Sequence, residues 1–241
     1  MKKRTKIWLG IVTLIIVLGL GGWGFLRSQV YQPSTAAQQV ENQATIKNGT
    51  LVFPVKLSTK PTVIFYPGAL VEPGSYSIWA KKVSDAGYRV SIVRFPLDLA
   101  VLAPNKAASV TKGATHGYVI GGHSLGGVMA SRYAKAHSRR LKGVFFLASY
   151  PDQKGNLRAT TVPVLSIAAS RDGVLNWTAY KKAKAKLPKS TQYTMITGGN
   201  HAGFGSYGKQ KGDNSATISN RNQQRQVAQD LIRWLNRLPN S

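Results

Sequence analysis

Three residues of this 241-residue chain have types and settings suited to nucleophilic catalysis: Ser124, His201 and Asp172. Serine is a weak nucleophile at neutral pH and needs a neighbouring base. The base needs a carboxylate that fixes its tautomer and stabilises the imidazolium. Ser124 stands in Gly121-Gly122-His123-Ser124-Leu125-Gly126-Gly127, which contains G-x-S-x-G. A sharp strand-to-helix turn strains the residue at its apex and requires small residues two positions to either side. Gly122 and Gly126 meet that requirement. Such a turn lifts the Ser124 hydroxyl above a sheet and leaves the Leu125 amide at a helix N-terminus, aimed at a developing oxyanion. A dinucleotide-binding G-x-G-x-x-G would need a different glycine spacing.

The chain has four histidines, His116, His123, His137 and His201. His116 begins the strand that leads to Ser124, which places it at the far end of the sheet. His123 is inside the elbow, with its side chain directed away from the hydroxyl, and is expected to pack or hydrogen-bond locally. His137 ends the following helix, where a cation suits the helix dipole. His201 lies in the glycine-rich loop Gly198–Gly203 directly after the last predicted strand, and is the expected base. Of eight acidic residues, Asp172 follows a strand end and is the expected acid. Asp152, after the preceding strand, is the alternative. Asp85, Asp98, Asp213 and Asp230 read as surface charges.

These residues need a scaffold, and the hydropathy pattern supplies one. Strand-like runs fall at Thr50–Val55, Thr62–Tyr66, Arg89–Arg94, Gly117–Gly121, Lys142–Ala148, Val162–Ala168 and Gln192–Ile196. Between them come helical patterns at Tyr76–Ala86, Leu99–Ser109 (interrupted by Pro104), Gly126–Ala136 and the lysine-rich Asn176–Leu187, with an amphipathic Gln223–Leu238 at the end. Short apolar strands alternating with helices imply a mostly parallel sheet covered by helices on both faces. Sites in such sheets form beyond the carboxyl ends of the strands. The loops after Tyr66, Gly121, Ala148, Ala168 and Ile196 all lie there.

With its elbow, its Ser…Asp…His order and this alternation, the chain from about Val63 to Leu235 resembles the α/β-hydrolase superfamily. It is most similar to the compact bacterial branch related to dienelactone hydrolases, with Ser124 where those enzymes carry cysteine. The resemblance implies an α/β-hydrolase fold and an esterase-type acyl hydrolase working through an acyl-enzyme. The substrate would be a small-molecule or lipid-like acyl compound, with no cofactor. It also implies a second oxyanion donor after an earlier strand, beside an H-G pair. Here the matching segment is Tyr66-Pro67-Gly68-Ala69-Leu70, with proline in place of the histidine, and the donor would be the Ala69 amide. Ser149–Thr161 is too short for the lid domain that many members carry, so the site should be open. An acyltransferase with the same residues, or a non-catalytic envelope binding protein on this scaffold, are the alternatives.

Composition narrows the setting. There is no cysteine, which excludes disulfides, thiolate metal sites and cysteine nucleophiles. No HExxH run occurs and carboxylates are scarce, so no metal is expected. Lys and Arg outnumber Asp and Glu by 33 to 8, a formal charge of +25. Such a surface attracts polyanions, either acidic lipid or an anionic envelope polymer. No aromatic-interleaved basic stripe or helix-turn-helix signature suggests a specific nucleic-acid partner. Residues 7–26 are almost wholly apolar or glycine and carry no charge, long enough for a bilayer core of about 30 Å. The basic run at 1–6 should stay inside. The expected layout is a cytoplasmic segment at 1–6, a transmembrane signal anchor at 7–26, a linker at 27–48 with a helical stretch near Ala36–Glu41, and a hydrolase domain at 49–241. The catalytic domain would then be extracellular on a single-pass membrane protein, or secreted if the segment is a cleaved signal peptide.

Overall fold

A computed structural model of the chain describes residues 8, 13, 21–25, 27–56 and 58–239. It divides into two units, residues 1–30 and residues 31–241. In the first, residues 21–25 are helical. Most of the apolar run 7–26, expected to span a membrane, lies outside the described residues. Among the described residues no helix is long and apolar enough to cross one.

The second unit is built on one eight-stranded sheet in the order β1-β2-β4-β3-β5-β6-β7-β8. Its strands are β1 (Thr45–Lys47), β2 (Thr50–Phe53), β3 (Thr62–Tyr66), β4 (Val90–Val93), β5 (Tyr118–His123), β6 (Leu141–Leu147), β7 (Val164–Ala169) and β8 (Gln192–Ile196). The β1–β2 and β2–β4 pairs are antiparallel; all pairs from β4 through β8 are parallel. The helices are α1 (Thr35–Glu41), α2 (Ser77–Asp85), α3 (Ala108–Thr111), α4 (Leu125–Ala136), α5 (Trp177–Ala183) and α6 (Asn220–Leu235).

Successive strand residues point to opposite faces, and both faces here are apolar. Val63 and Phe65 of β3 pack with Trp79 and Val83 of α2 and with Val227, Leu231 and Trp234 of α6. Their neighbours Ile64 and Tyr66 pack on the other side with Met129, Ala130 and Tyr133 of α4. This two-sided burial explains why the central strands read as continuous apolar runs rather than alternating ones.

Two expectations are corrected. The segment 27–48 carries a helix where one was expected, but from Tyr31 onward it is part of the domain rather than a linker. Ser34 caps α1 by accepting from the Ala37 amide at 3.3 Å, Ala37 is buried, and β1 adds an antiparallel edge strand. The domain therefore begins near Tyr31, whose amide donates to the Leu70 carbonyl at 2.8 Å. Leu99–Ser109 is also not one helix. It forms a 3-10 turn at Ala100–Leu102 and then the short α3, because proline at 104 has no amide hydrogen and excludes the preceding residue from helical geometry.

Candidate active site

The strand ends converge as the parallel register demands. Gly122 pairs with Tyr66 on one side and with Phe146 on the other. The loops that follow β3, β5 and β6 therefore leave the sheet side by side. Ser124 is the turn from β5 into α4, with φ 51° and ψ −126°. A non-glycine residue held there costs on the order of 1–3 kcal/mol. Two glycines make the turn feasible. A Cβ on Gly122 would approach the Gly126 carbonyl carbon to 2.5 Å, and one on Gly126 would overlap the carbonyl oxygens of Tyr66 and Pro67. The Ser124 carbonyl accepts from the Ser149 hydroxyl at 2.6 Å and from the Gly127 amide at 3.0 Å.

Asp172 and His201 come from the loops after β7 and β8 and are both buried. His201 Nδ1 lies 2.8 Å from Asp172 Oδ2. Asp172 Oδ1 accepts from its own loop, from the amides of Val174 at 2.9 Å and Leu175 at 2.7 Å. One carboxylate oxygen thus fixes the loop and the other fixes the imidazole. His201 Nε2 has no hydrogen-bond partner among the described residues. Ser124 and His201 line the same open cleft of ≈ 240 Å³, whose other walls include Leu125, Val128, Tyr150 and Leu175. The Ser124 hydroxyl is not hydrogen-bonded to Nε2; contacts of this kind often tighten only when substrate is bound.

Asp152, the alternative acid, is engaged elsewhere. Its Oδ2 accepts from Arg132 Nε at 3.0 Å and its Oδ1 from the Gly155 amide at 2.9 Å. Burial opposes its ionisation, but the Arg132 hydrogen bond, the Gly155 amide and the charges of Arg132 and Lys186 together hold its carboxyl below the usual range.

The Leu125 amide is at the first position of α4, where no intrahelical acceptor exists. The Ala69 amide likewise makes no hydrogen bond among the described residues. The loop that carries it is braced: the Gly68 amide donates to the Tyr76 hydroxyl at 2.9 Å, and Tyr76 Oη lies 3.0 Å from His123 Nδ1. His123 is buried, its ring centroid 4.4 Å from that of His201. Burial, followed by the neighbouring His201, pushes its pKa well below 6.5. Since the Gly68 N–H is a donor, the Tyr76 hydroxyl hydrogen is free for His123 Nδ1, which fits a neutral ring. The local hydrogen bond expected of His123 thus has Tyr76 as partner, a residue no motif singles out.

Asp213 is a further correction. It is not a free surface charge. Its Oδ2 accepts from the Ala202 amide at 2.8 Å, and its Oδ1 from the amides of Gly173 at 3.0 Å and Asn214 at 2.9 Å. Its value is invisible in sequence, because its partners are backbone groups on two distant loops.

We find no curated protein whose sequence matches the chain. Solved structures share its fold. The esterase domain of a Rhodothermus marinus protein superposes with a TM-score of 0.59 at 13% identity, covering 78% of this chain and 92% of that one. A ferulic acid esterase from Streptomyces cinnamoneus gives 0.61 at 17% identity over 77% and 68%. Est1E from Butyrivibrio proteoclasticus gives 0.59 at 13% identity over 78% and 92%. The family description "Alpha/beta hydrolase family" matches residues 62–225, a span that contains the elbow, the Asp172–His201 pair and every parallel strand. The chain therefore belongs to the alpha/beta hydrolase family.

Proposed function

We propose that the chain is a serine hydrolase of carboxylic esters, with Ser124 as nucleophile, His201 as base and Asp172 as the acid. The observation that carries this reading is the commitment of His201 Nδ1 to Asp172. It leaves Nε2 without a partner among the described residues, at the cleft that Ser124 also lines. In the proposed reaction the Ser124 oxygen attacks the ester carbonyl while its proton passes to His201 Nε2. Asp172 stabilises the imidazolium that results. The amides of Leu125 and Ala69 receive the negative charge on the carbonyl oxygen. Collapse expels the alcohol, which takes the proton from Nε2. Water, deprotonated by the same nitrogen, then attacks the acyl carbonyl; collapse breaks the bond to the Ser124 oxygen, releases the carboxylic acid, and the proton on Nε2 returns to Ser124. The esterases among the structural neighbours support the substrate class.

The test is labelling by a fluorophosphonate and turnover of a p-nitrophenyl ester. Wild-type protein should be modified at Ser124, and Ser124→Ala should lose on the order of 10⁴-fold or more in rate with its fold intact. Wild-type turnover in the alanine variant would refute the mechanism.

For location we propose an outward-facing domain held at the membrane by the apolar run at 7–26, with the basic run before it retained inside. The net charge of +25 supports attraction to anionic lipid or envelope polymer. Protease added to intact cells should remove the domain, and full-length protein should stay in the membrane fraction at high salt. A soluble full-length protein would rule this topology out, and a released form beginning near Ala37 would support the secreted alternative.

A further inference from the structure

The two residues that flank the catalytic pair share one carboxylate. Gly173 directly follows Asp172, and Ala202 directly follows His201. The amides of both donate to Asp213, Gly173 to Oδ1 at 3.0 Å and Ala202 to Oδ2 at 2.8 Å. The connection does not stop at that side chain. Arg171 Nε donates to the Ser215 carbonyl at 2.6 Å, Asn200 Nδ2 to the Asn214 carbonyl at 2.7 Å, and the Thr217 amide to the Gly198 carbonyl at 2.8 Å. The acid loop and the base loop also meet directly, the Arg171 amide on the Gly199 carbonyl at 2.9 Å.

We infer that Asp213 is a positioning residue that sets the separation of Asp172 and His201 by clamping the backbone next to each. The inference rests on the catalytic reading given above. A carboxylate suits this task for a chemical reason. It offers acceptors only, and its three hydrogen bonds among the described residues all come from N–H donors. Hydrogen bonds to an ionised acceptor are also shorter and stronger than neutral ones. An asparagine in its place has one acceptor oxygen and one NH₂. Its oxygen can keep the Gly173 and Asn214 amides, but its NH₂ then faces the Ala202 N–H, donor against donor. The acid loop stays held and the base loop is released. Because Asp172 Oδ1 also holds the acid loop through Val174 and Leu175, the loss falls on His201.

The experiment compares Asp213→Asn with wild type in three measurements: kcat and KM on a p-nitrophenyl ester, the rate of fluorophosphonate labelling, and the low-field proton resonance of the His201 Nδ1–H held by Asp172. Misplacing a catalytic group by about an ångström costs up to ~100-fold in rate. The expected result is a kcat lowered roughly 10- to 100-fold, a labelling rate lowered in parallel, an unchanged KM and a weakened or shifted resonance. A residue that served only the fold would lower the thermal midpoint. It would leave kcat per folded molecule and the resonance at wild-type values, and that outcome overturns the inference. Should Asp213→Asn not fold, Asp213→Ser is read in the same way, since its hydroxyl still accepts one amide; wild-type kcat there overturns the inference equally. If Ser124→Ala keeps its turnover, the serine-hydrolase reading fails, while the resonance still decides the clamp.

Discussion

The imidazoles of His123 and His201 lie 4.4 Å apart with their planes 43° to one another, both buried. Two histidines this close cannot both carry charge without repulsion in a medium that screens poorly. One is held by a carboxylate, Asp172, and the other by a phenol, Tyr76. His201 therefore lies beside a ring that stays neutral.

This arrangement predicts a pH dependence of stability. The folded-state pKa of His123 is depressed well below 6.5. Its contribution is fully present above pH 6.5 and is lost as pH falls toward the depressed value, because the unfolded chain takes up the proton first. The slope contributed is at most about 1.4 kcal/mol per pH unit. Urea midpoints at pH 7, 6 and 5 should decline in wild type and decline less in His123→Gln. Equal slopes in the two proteins would contradict the neutral, buried ring.

Asp172→Asn should lower kcat by about 10⁴-fold. The asparagine oxygen will keep the Val174 and Leu175 amides, leaving its NH₂ toward His201 Nδ1 and forcing the wrong tautomer. Asp152→Asn removes a partly exposed pair with Arg132 and should cost roughly 0–1 kcal/mol of stability with kcat unchanged. The reverse ranking in kcat would move the acid to Asp152.

The cleft beside Ser124 is small, ≈ 240 Å³, with apolar walls at Leu125, Val128 and Leu175. Acetyl and butyryl esters should therefore give a higher kcat/KM than palmitoyl esters, and Val128→Phe should shift the preference further toward acetyl. A series of p-nitrophenyl esters measures this; a preference for palmitoyl would show that another surface takes the acyl chain.

Gly126→Ala should be costly, since its Cβ would overlap the carbonyl oxygens of Tyr66 and Pro67 at the end of β3. Forcing a methyl into a closed contact costs typically 1–3 kcal/mol, and here it also pushes the Ala69 loop away from the elbow. A lowered thermal midpoint together with a lowered kcat is expected. A fully active, stable variant would mean that the elbow and the β3 loop are not in contact.

The elements that depend on local chemistry were legible in the amino-acid sequence. Alternating apolar runs and helical stretches marked the parallel sheet, because two-sided burial demands apolar residues at consecutive strand positions, as at Val63–Tyr66. The glycines around Ser124 marked the elbow because a Cβ at Gly122 or Gly126 would meet backbone atoms. The loops carrying Asp172 and His201 were legible as the ends of β7 and β8. Other features arise from long-range contacts. Ser34 to Lys47 joined the domain through the Ser34 amide on the Ser206 carbonyl, the Glu41–Arg94 ion pair and the pairing of β1 with β2, contacts that leave no hydrophobic period in so short a segment. Tyr76 and Asp213 entered the site through partners on other loops and strands, the Gly68 amide and His123 for one, the Gly173 and Ala202 amides for the other. A carboxylate that accepts from backbone N–H groups has no signature in sequence, since every residue except proline offers that donor and only the fold determines which of them come within 3 Å.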